Sequence, residues 1–201
     1  MKIFTKKRGP YTVNYYEVDI TEEMRTKAYD FSKKIIKTKN QHERLIASET
    51  VEIQRTYAGK LGELAFNEFL KEKGIIVDTS DMFIIFPGQH NVDNFDFITR
   101  SGETIDVKSG FRAIHKNLLI NKEQFENIPK DYYVGVKLNA KDINSKTKEI
   151  DIHSITKAVI YGYADYNFLK DKVEYKDFGE GLAKHIEYSR LMGIDKLLLK
   201  F

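Results

Sequence analysis

The spacing of apolar residues changes near residue 75, and this change constrains the fold more than any other feature of the chain. Before it, apolar residues recur at the spacing of amphipathic helices. After it, they occur in short runs that are typical of β-strands. Helices followed by strands predict an α/β (α+β) domain, in which a central mixed sheet is flanked by helices.

Capping and breaker residues predict the individual elements. Residues 1–18 are expected to be irregular or strand-like. Thr21 caps a first helix over 21–38, and a second helix begins near Val51 and ends before Gly74. Asn121 caps a short helix that ends before Pro129. The predicted strands are 75–77, 82–86, 95–99, 103–109, 117–120, 132–138 and 158–163. The stretch 183–192 is predicted to be a terminal helix.

Composition excludes several classes of protein. The chain has 201 residues, 41% hydrophobic and 31% charged, which suits one domain with a sizeable core. It contains no cysteine, so disulfides, thiol catalysis, thiolate zinc sites and iron–sulfur clusters are excluded. The net charge of +3 is compatible with a nucleic-acid partner without requiring one. We expect no membrane association and a cytoplasmic location, because no apolar run is long enough for a span or a signal peptide.

Residues 94–108 are predicted to form a β-hairpin with a turn at 100–102. The length of the loop decides which side chains share a face, because successive side chains point to opposite faces of a strand. A two-residue loop would place Asp96 and Asp106 on opposite faces. A three-residue loop, with Gly102 in the left-handed conformation, pairs them instead.

The hydrophobic pattern favours the three-residue loop, which pairs Thr99 with Glu103. One face then carries the apolar residues Phe95, Phe97, Ile105 and Val107. The other face carries the charged residues Asp96, Asp106 and Lys108. The pattern therefore predicts that two carboxylates oppose each other across the hairpin.

Opposed carboxylates need a physical reason, since like charges at Cβ separations of roughly 4.5–5.5 Å repel. A hard divalent cation removes the conflict, because Mg²⁺ prefers one or two carboxylates with waters and phosphate oxygens. On the same face, Lys108 is suited to orient or deprotonate a metal-bound water, or to stabilise phosphate charge. An ordinary hairpin with a polar, solvent-facing side is the alternative interpretation.

The second predicted helix adds a further carboxylate. Glu63 lies beside Gly62 in the run from Gly59 to Phe66, in a helix that otherwise has the pattern of a buried one. Glycine is unfavourable inside a helix, so Gly59 and Gly62 require close approach of the helix to a sheet or a ligand. An exposed Glu63 without function is the alternative.

The order of these features resembles the active site of the PD-(D/E)XK (restriction-endonuclease-like) nucleases. The resemblance lies in a helix with G-x-x-G-E-x-A-F, a strand with Asp, and a return strand with D-x-K, and it covers about residues 59–109. Carried over by position, the catalytic residues are Glu63, Asp96, Asp106 and Lys108. The family's Pro-Asp pair is absent, because Phe95 precedes Asp96, and Asp93 is a less favoured substitute.

The resemblance implies a restriction-endonuclease-like core and a Mg²⁺-dependent endonuclease that hydrolyses DNA phosphodiester bonds, with a restriction-type enzyme as one form of it. Residues 1–201 would form one nuclease domain, with a helical extension over 1–50, a catalytic core over 51–140, and strands and a helix over 141–201. Asp96, Asp106 and the carbonyl of Val107 would bind Mg²⁺, for which Mn²⁺ can substitute. Glu63 would bind directly, through water, or to a second ion. A homodimer is compatible with this family.

Polar residues after the catalytic strand are candidates for phosphate or base contacts. They are Ser109, Arg112, His115, Lys116 and Asn117. An ordinary polar loop is the alternative. Among nucleases, the alternatives are a junction resolvase, a repair or mobile-element nuclease, and an RNA-cleaving relative. Outside this class, the alternatives are a non-catalytic nucleic-acid-binding subunit and an unrelated α/β protein in which the motif occurs by chance.

Overall fold

The computed structural model describes residues 1–38, 49–84, 95–144, 149–179 and 181–201. The strands, in chain order, are β1 (Lys2–Arg8), β2 (Tyr11–Asp19), β3 (Phe97–Ile98), β4 (Thr104–Gly110), β5 (Asn117–Asn121), β6 (Tyr132–Leu138), β7 (Lys141–Asn144), β8 (Glu149–Asp151), β9 (Lys157–Asp165), β10 (Tyr175–Asp177) and β11 (Leu182–Glu187). The helices are α1 (Glu22–Thr38), α2 (Glu49–Glu72), α3 (Lys122–Asn127), α4 (Tyr166–Lys172) and α5 (Ile194–Leu198).

A six-stranded sheet with the order β1-β2-β9-β6-β4-β3 forms the centre of the fold. Strands β4 and β6 are parallel, whereas the other neighbours are antiparallel. The prediction of a mixed α+β fold with a central mixed sheet between helices is confirmed. Within the described ranges, no helix has the length and apolar character needed to cross a membrane.

Strands β1 and β2 form an antiparallel hairpin at one edge of this sheet, as the strand-like alternative for residues 1–18 predicted. The broader description of 1–50 as a helical extension is therefore wrong for its first nineteen residues. Gly9 turns the hairpin with a φ of 57°. The prediction of α1 is confirmed, and the backbone N–H of Met24 donates to Thr21 Oγ1 over 3.2 Å as expected for an N-cap.

Helix α2 covers one face of the central sheet. Leu61, Ala65 and Phe69 lie on one side of this helix and are fully buried. They pack in a core with strand residues that include Ile105 and Val134. The helix ends at Glu72, and Gly74 follows in the left-handed conformation with a φ of 77°, as predicted.

The opposite face of the central sheet carries a second apolar cluster beneath a three-stranded sheet of order β10-β11-β5. The predicted helix over 183–192 is wrong, because this stretch forms β11 and then a 3-10 turn over Tyr188–Arg190. Its alternation buries Ile186 and Tyr188, whereas Glu187 between them is exposed. The apolar spacing was thus that of a strand paired with β5.

Two strands predicted after α2 are also wrong. Residues 75–77 and 82–84 adopt turns and irregular backbone, whereas 85 and 86 lie outside the described residues. The side chain of Ile76 is 91% exposed, whereas Ile75 and Val77 on either side of it are partly buried against the core. The other predicted strands are present, and the one at 95–99 is shorter than expected, because β3 begins at Phe97.

Candidate active site

The hairpin formed by β3 and β4 has the predicted three-residue turn. Phe97 pairs with Ile105, and the N–H of Thr99 donates to the carbonyl of Glu103 over 2.9 Å. Gly102 is left-handed, with a φ of 85°. The register derived from the hydrophobic pattern is therefore confirmed from Phe97 to Glu103. The predicted pairing of Asp96 with Asp106 is not formed, because the N–H of Asp96 donates to the carbonyl of Ile105 over 2.9 Å.

The pairing departs from the prediction where β3 begins. In a continuous ladder, the N–H of Val107 would bond to the backbone of Phe95. Instead it donates to Asp96 Oδ2 over 2.6 Å, and Phe95 is 39% exposed. The expectation that Phe95 joins the buried face is wrong, because the Asp96 side chain takes the place of the next backbone partner.

The Asp96 carboxylate thus lies at the edge of β4, beyond the end of β3. The N–H and C=O of one strand residue point to the same side. Because the N–H of Val107 points toward Asp96, its carbonyl is directed to this edge as well. The backbone atom predicted to bind a metal therefore lies on the same side of β4 as the Asp96 side chain.

Side chains of β4 alternate between the two faces of the sheet at this edge. Val107 and Ser109 lie under α2, whose Gly62 comes close to both. Asp106 and Lys108 point to the other face, where Lys108 Nζ lies 2.7 Å from Asp106 Oδ2. Glu63 therefore belongs to the α2 side of the sheet and Asp106 to the opposite face, while Asp96 is bonded to the edge of β4 through the N–H of Val107.

The electrostatics of Asp96 connect the three carboxylates. Burial raises the pKa of Asp96 well above its usual range, and the negative charges of Glu63 and Asp106 raise it further. The N–H of Val107 and the ammonium of Lys108 act in the opposite direction without reversing the shift. Asp96 therefore lies within electrostatic reach of both acids, in a place where an added cation would be favourable.

Glu63 is held by a buried lysine that the sequence pattern did not reveal. Lys60 Nζ lies 2.5 Å from Glu63 Oε2 and donates to the carbonyl of Met82 over 2.8 Å. The same ammonium lies over the rings of Phe31 and Phe83. Lys60 thereby anchors Glu63 to α1 and to the turn after α2. In the sequence, the spacing of three residues between Lys60 and Glu63 on one helix was the available indication that their side chains are neighbours.

Two further residues near Asp106 were missed. Gln124 on α3 donates from Nε2 to Asp106 Oδ2 over 3.3 Å and accepts from Lys108 Nζ at Oε1 over 2.8 Å. Lys130 is 7% exposed, and burial lowers its pKa, although the charge of Asp106 opposes this. Asn121 caps α3 as predicted, because its side chain accepts a hydrogen bond from the N–H of Glu123. This cap was the sequence feature that predicted a helix after the candidate site.

The residues predicted as nucleic-acid contacts lie between β4 and β5. Lys116 is exposed, and Asn117 is half-buried at the start of β5. Arg112 is buried, with Nε 3.4 Å from Asp142 Oδ1, and His115 Nδ1 accepts from the N–H of Arg112 over 3.3 Å. Ser109 Oγ is buried under α2. For Ser109, Arg112 and His115 these positions indicate a role within the fold, and Lys116 remains the exposed candidate.

The set of donors fits a hard divalent cation in its chemistry, since carboxylate and carbonyl oxygens are the ligands that Mg²⁺ prefers. Among the residues that the structure describes, no three His, Cys, Asp or Glu side chains are already grouped as metal ligands. Glu63 faces Lys60, Asp96 faces the N–H of Val107, and Asp106 faces Lys108. Metal binding would require these carboxylates to turn toward one another. Asp93, the less favoured substitute for Asp96, lies outside the described residues.

The chain matches no protein-family model, no curated protein and no solved structure closely enough to indicate its family. The resemblance to PD-(D/E)XK nucleases thus rests on the residues and their arrangement alone.

Proposed function

We propose that the chain is a Mg²⁺-dependent endonuclease that hydrolyses DNA phosphodiester bonds. The observation that carries this proposal is the position of Asp96, a half-buried carboxylate that is bonded to the N–H of Val107 and lies within electrostatic reach of Glu63 and Asp106. Although Lys60 and Lys108 lie beside two of these acids, the charges of Glu63 and Asp106 still raise the pKa of Asp96, so this grouping is unfavourable for the metal-free fold. Such an arrangement is explained when the site exists to bind a cation.

Asp96, Asp106 and the carbonyl of Val107 would hold Mg²⁺, with Glu63 as a further ligand. The chemistry supplied by Mg²⁺ when bound is polarisation of the scissile phosphate, activation of a water and neutralisation of the leaving oxygen. DNA as the substrate follows from the resemblance. If the chain cuts both strands, the same resemblance implies a homodimer with one active site per subunit.

Lys108 would act on the phosphate or on the attacking water. Its ammonium lies beside Asp106 and is oriented by Gln124 Oε1. A lysine between a carboxylate and an amide keeps a defined direction, which a catalytic cation requires. Gln124 would therefore be a positioning residue that orients Asp106 and Lys108 together.

The test is incubation of supercoiled plasmid, linear duplex, branched DNA and RNA with the protein, in Mg²⁺ and in a chelator. We expect chelator-sensitive cleavage of DNA, which Asp106→Ala and Lys108→Ala abolish. The matched control is Asp171→Ala, which removes an exposed carboxylate of α4. DNA binding without cleavage in Mg²⁺ or Mn²⁺ would favour the non-catalytic alternative. Full activity in either active-site variant would contradict the assignment.

A further inference from the structure

Helix α2 contacts β4 most closely at Gly62. A Cβ placed on Gly62 would lie 1.8 Å from Ser109 Oγ, 3.1 Å from Ser109 Cβ and 3.7 Å from Val107 Cγ1. Rotation of Ser109 can move its Oγ but not its Cβ. A methyl group at position 62 would therefore require Ser109 Oγ to rotate away and the helix and strand to separate by a few tenths of an ångström.

This contact lies within one residue of the candidate active site on both elements. Gly62 directly precedes Glu63 on the helix, and Ser109 directly follows Lys108 on the strand. Ser109 Oγ is buried and has no hydrogen-bond partner among the described residues, so its contribution at this point is shape. Any change in the distance between Gly62 and Ser109 therefore moves Glu63 relative to Asp106 and Lys108.

Gly59, one helical turn earlier, gives the contrast. A Cβ at Gly59 would meet no atom of the described residues within 4 Å. Both glycines lie in the same helix, yet it is position 62 that presses against the strand. The close contact is thus a specific feature of Gly62, not a general consequence of a glycine-rich helix.

We propose that Gly62 and Ser109 are positioning residues that fix the distance between Glu63 and the other acidic groups. This inference rests on the proposed metal-dependent nuclease function. A methyl group at position 62 would displace α2 from β4 by at least a few tenths of an ångström. Catalytic groups must be held within about 0.5 Å of the productive geometry, and a misplacement of about 1 Å can cost about 100-fold. A shift of several tenths of an ångström in Gly62→Ala should therefore reduce activity by about tenfold.

The experiment is a series of four variants in which the space between positions 62 and 109 is first filled by a methyl group and then restored. Gly62→Ala introduces the methyl group, and Gly59→Ala is the matched control. In a Gly62→Ala background, Ser109→Ala removes the nearest atom but leaves Cβ, and Ser109→Gly removes both. We expect activity to rise in the order Gly62→Ala, the double variant with Ser109→Ala, and the double variant with Ser109→Gly.

The readouts separate positioning from stability. Circular dichroism and thermal unfolding identify a temperature at which all variants are folded. At that temperature, the Mg²⁺ concentration for half-maximal cleavage should rise about tenfold in Gly62→Ala, whereas the KM for DNA stays unchanged. A purely structural role would lower the folded fraction without moving the Mg²⁺ dependence.

Wild-type Mg²⁺ dependence in folded Gly62→Ala, or no recovery in a folded Ser109→Gly double variant, would overturn the positioning role. If wild-type protein neither cleaves nucleic acid nor binds Mn²⁺ by calorimetry, the proposed function itself fails, and this inference fails with it.

Discussion

The carboxylate of Asp96 accepts a hydrogen bond from the backbone N–H of Val107 over 2.6 Å, in the position where a continuous hairpin would offer a carbonyl. Val107 lies between Asp106 and Lys108 in the chain. One bond therefore attaches Asp96 to the strand segment that carries the other two charged groups. This relationship explains why β3 is short, and it brings the acids together without requiring them to be ladder partners.

Replacing Asp96 with Asn should stabilise the metal-free protein near neutral pH. Because burial, Glu63 and Asp106 raise the pKa of Asp96, the folded state binds its proton more tightly than the unfolded chain. The stability that this group contributes is present at low pH and is lost as the pH rises through its folded pKa. Asn keeps an acceptor for Val107 but carries no charge.

Thermal unfolding in a chelator between pH 4 and pH 8 measures this effect. The melting temperature of Asp96→Asn should exceed that of wild type at pH 8, and the difference should shrink toward pH 4. Cleavage should fall at least about 100-fold, the size of effect seen when one charge-stabilising group is removed. A variant that is less stable at pH 8 would contradict the electrostatic account.

Replacing Lys108 with Met should separate catalysis from metal binding. The ammonium is lost while the length of the side chain is kept, so cleavage should fall by about 10²–10³-fold. Affinity for Mn²⁺ should be retained or increased, because the positive charge beside Asp106 is removed. Calorimetry and single-turnover cleavage check the two halves, and Lys172→Met, at an exposed position, is the control. Loss of Mn²⁺ binding would argue that Lys108 supports the fold of the site.

Replacing Gln124 with Ala should reduce cleavage by about 10–100-fold, the usual range for a group that orients a ligand. The variant removes both the bond to Asp106 and the bond from Lys108. Gln124→Glu keeps the acceptor for Lys108 but places a negative charge near Asp106. It should therefore shift the pH dependence of cleavage, a result that simple loss of packing would not produce.

The salt bridge between Glu103 and Lys200 should contribute to acid stability. Bonds from Lys200, Tyr132 and Ser101 lower the pKa of Glu103 to about 2. A lowered carboxyl pKa gives stability that is present above the unfolded value and lost as the pH falls toward 2. Urea unfolding between pH 2 and pH 6 should show a smaller loss in Glu103→Gln than in wild type. The exposed Glu174→Gln should behave as wild type, and equal acid sensitivity in all three proteins would refute the prediction.

Replacing Gly59 with Ala should stabilise the protein by about 0.5–1 kcal/mol, because alanine is favoured over glycine inside a helix and the new methyl group meets no described atom within 4 Å. Urea unfolding measures the change in the free energy of unfolding. Destabilisation would show that α2 is packed more closely at this position than the structure indicates.

Local signals account for what the sequence predicted well. The Phe97 and Ile105 register follows from a three-residue turn and an alternation that spans few residues, and both lie within the reach of local rules. The helix caps at Thr21 and Asn121 also depend only on neighbouring residues, since each side chain accepts from an N–H two or three residues later. The hairpin register is enough to name Asp96 and Asp106 as candidates from the amino-acid sequence.

Tertiary contacts account for what the sequence did not predict. Residues 183–192 have an apolar spacing that suits a helix or a strand, and pairing with β5 decides between them. The contact of Gln124 with Asp106 and that of Lys60 with the carbonyl of Met82 join separate parts of the chain, so no local pattern marks them. Helix α4 was missed although Asp165 caps it with a bond from the N–H of Phe168.

Binding of Mn²⁺ to wild type and to three single variants tests the central claim most directly. Calorimetry in the absence of DNA would compare wild type with Glu63→Gln, Asp96→Asn and Asp106→Asn. The account predicts that wild type binds Mn²⁺ and that each variant binds on the order of tenfold more weakly or less. Equal affinity in all four proteins, or no binding to wild type, would contradict the convergence of these three carboxylates on one cation.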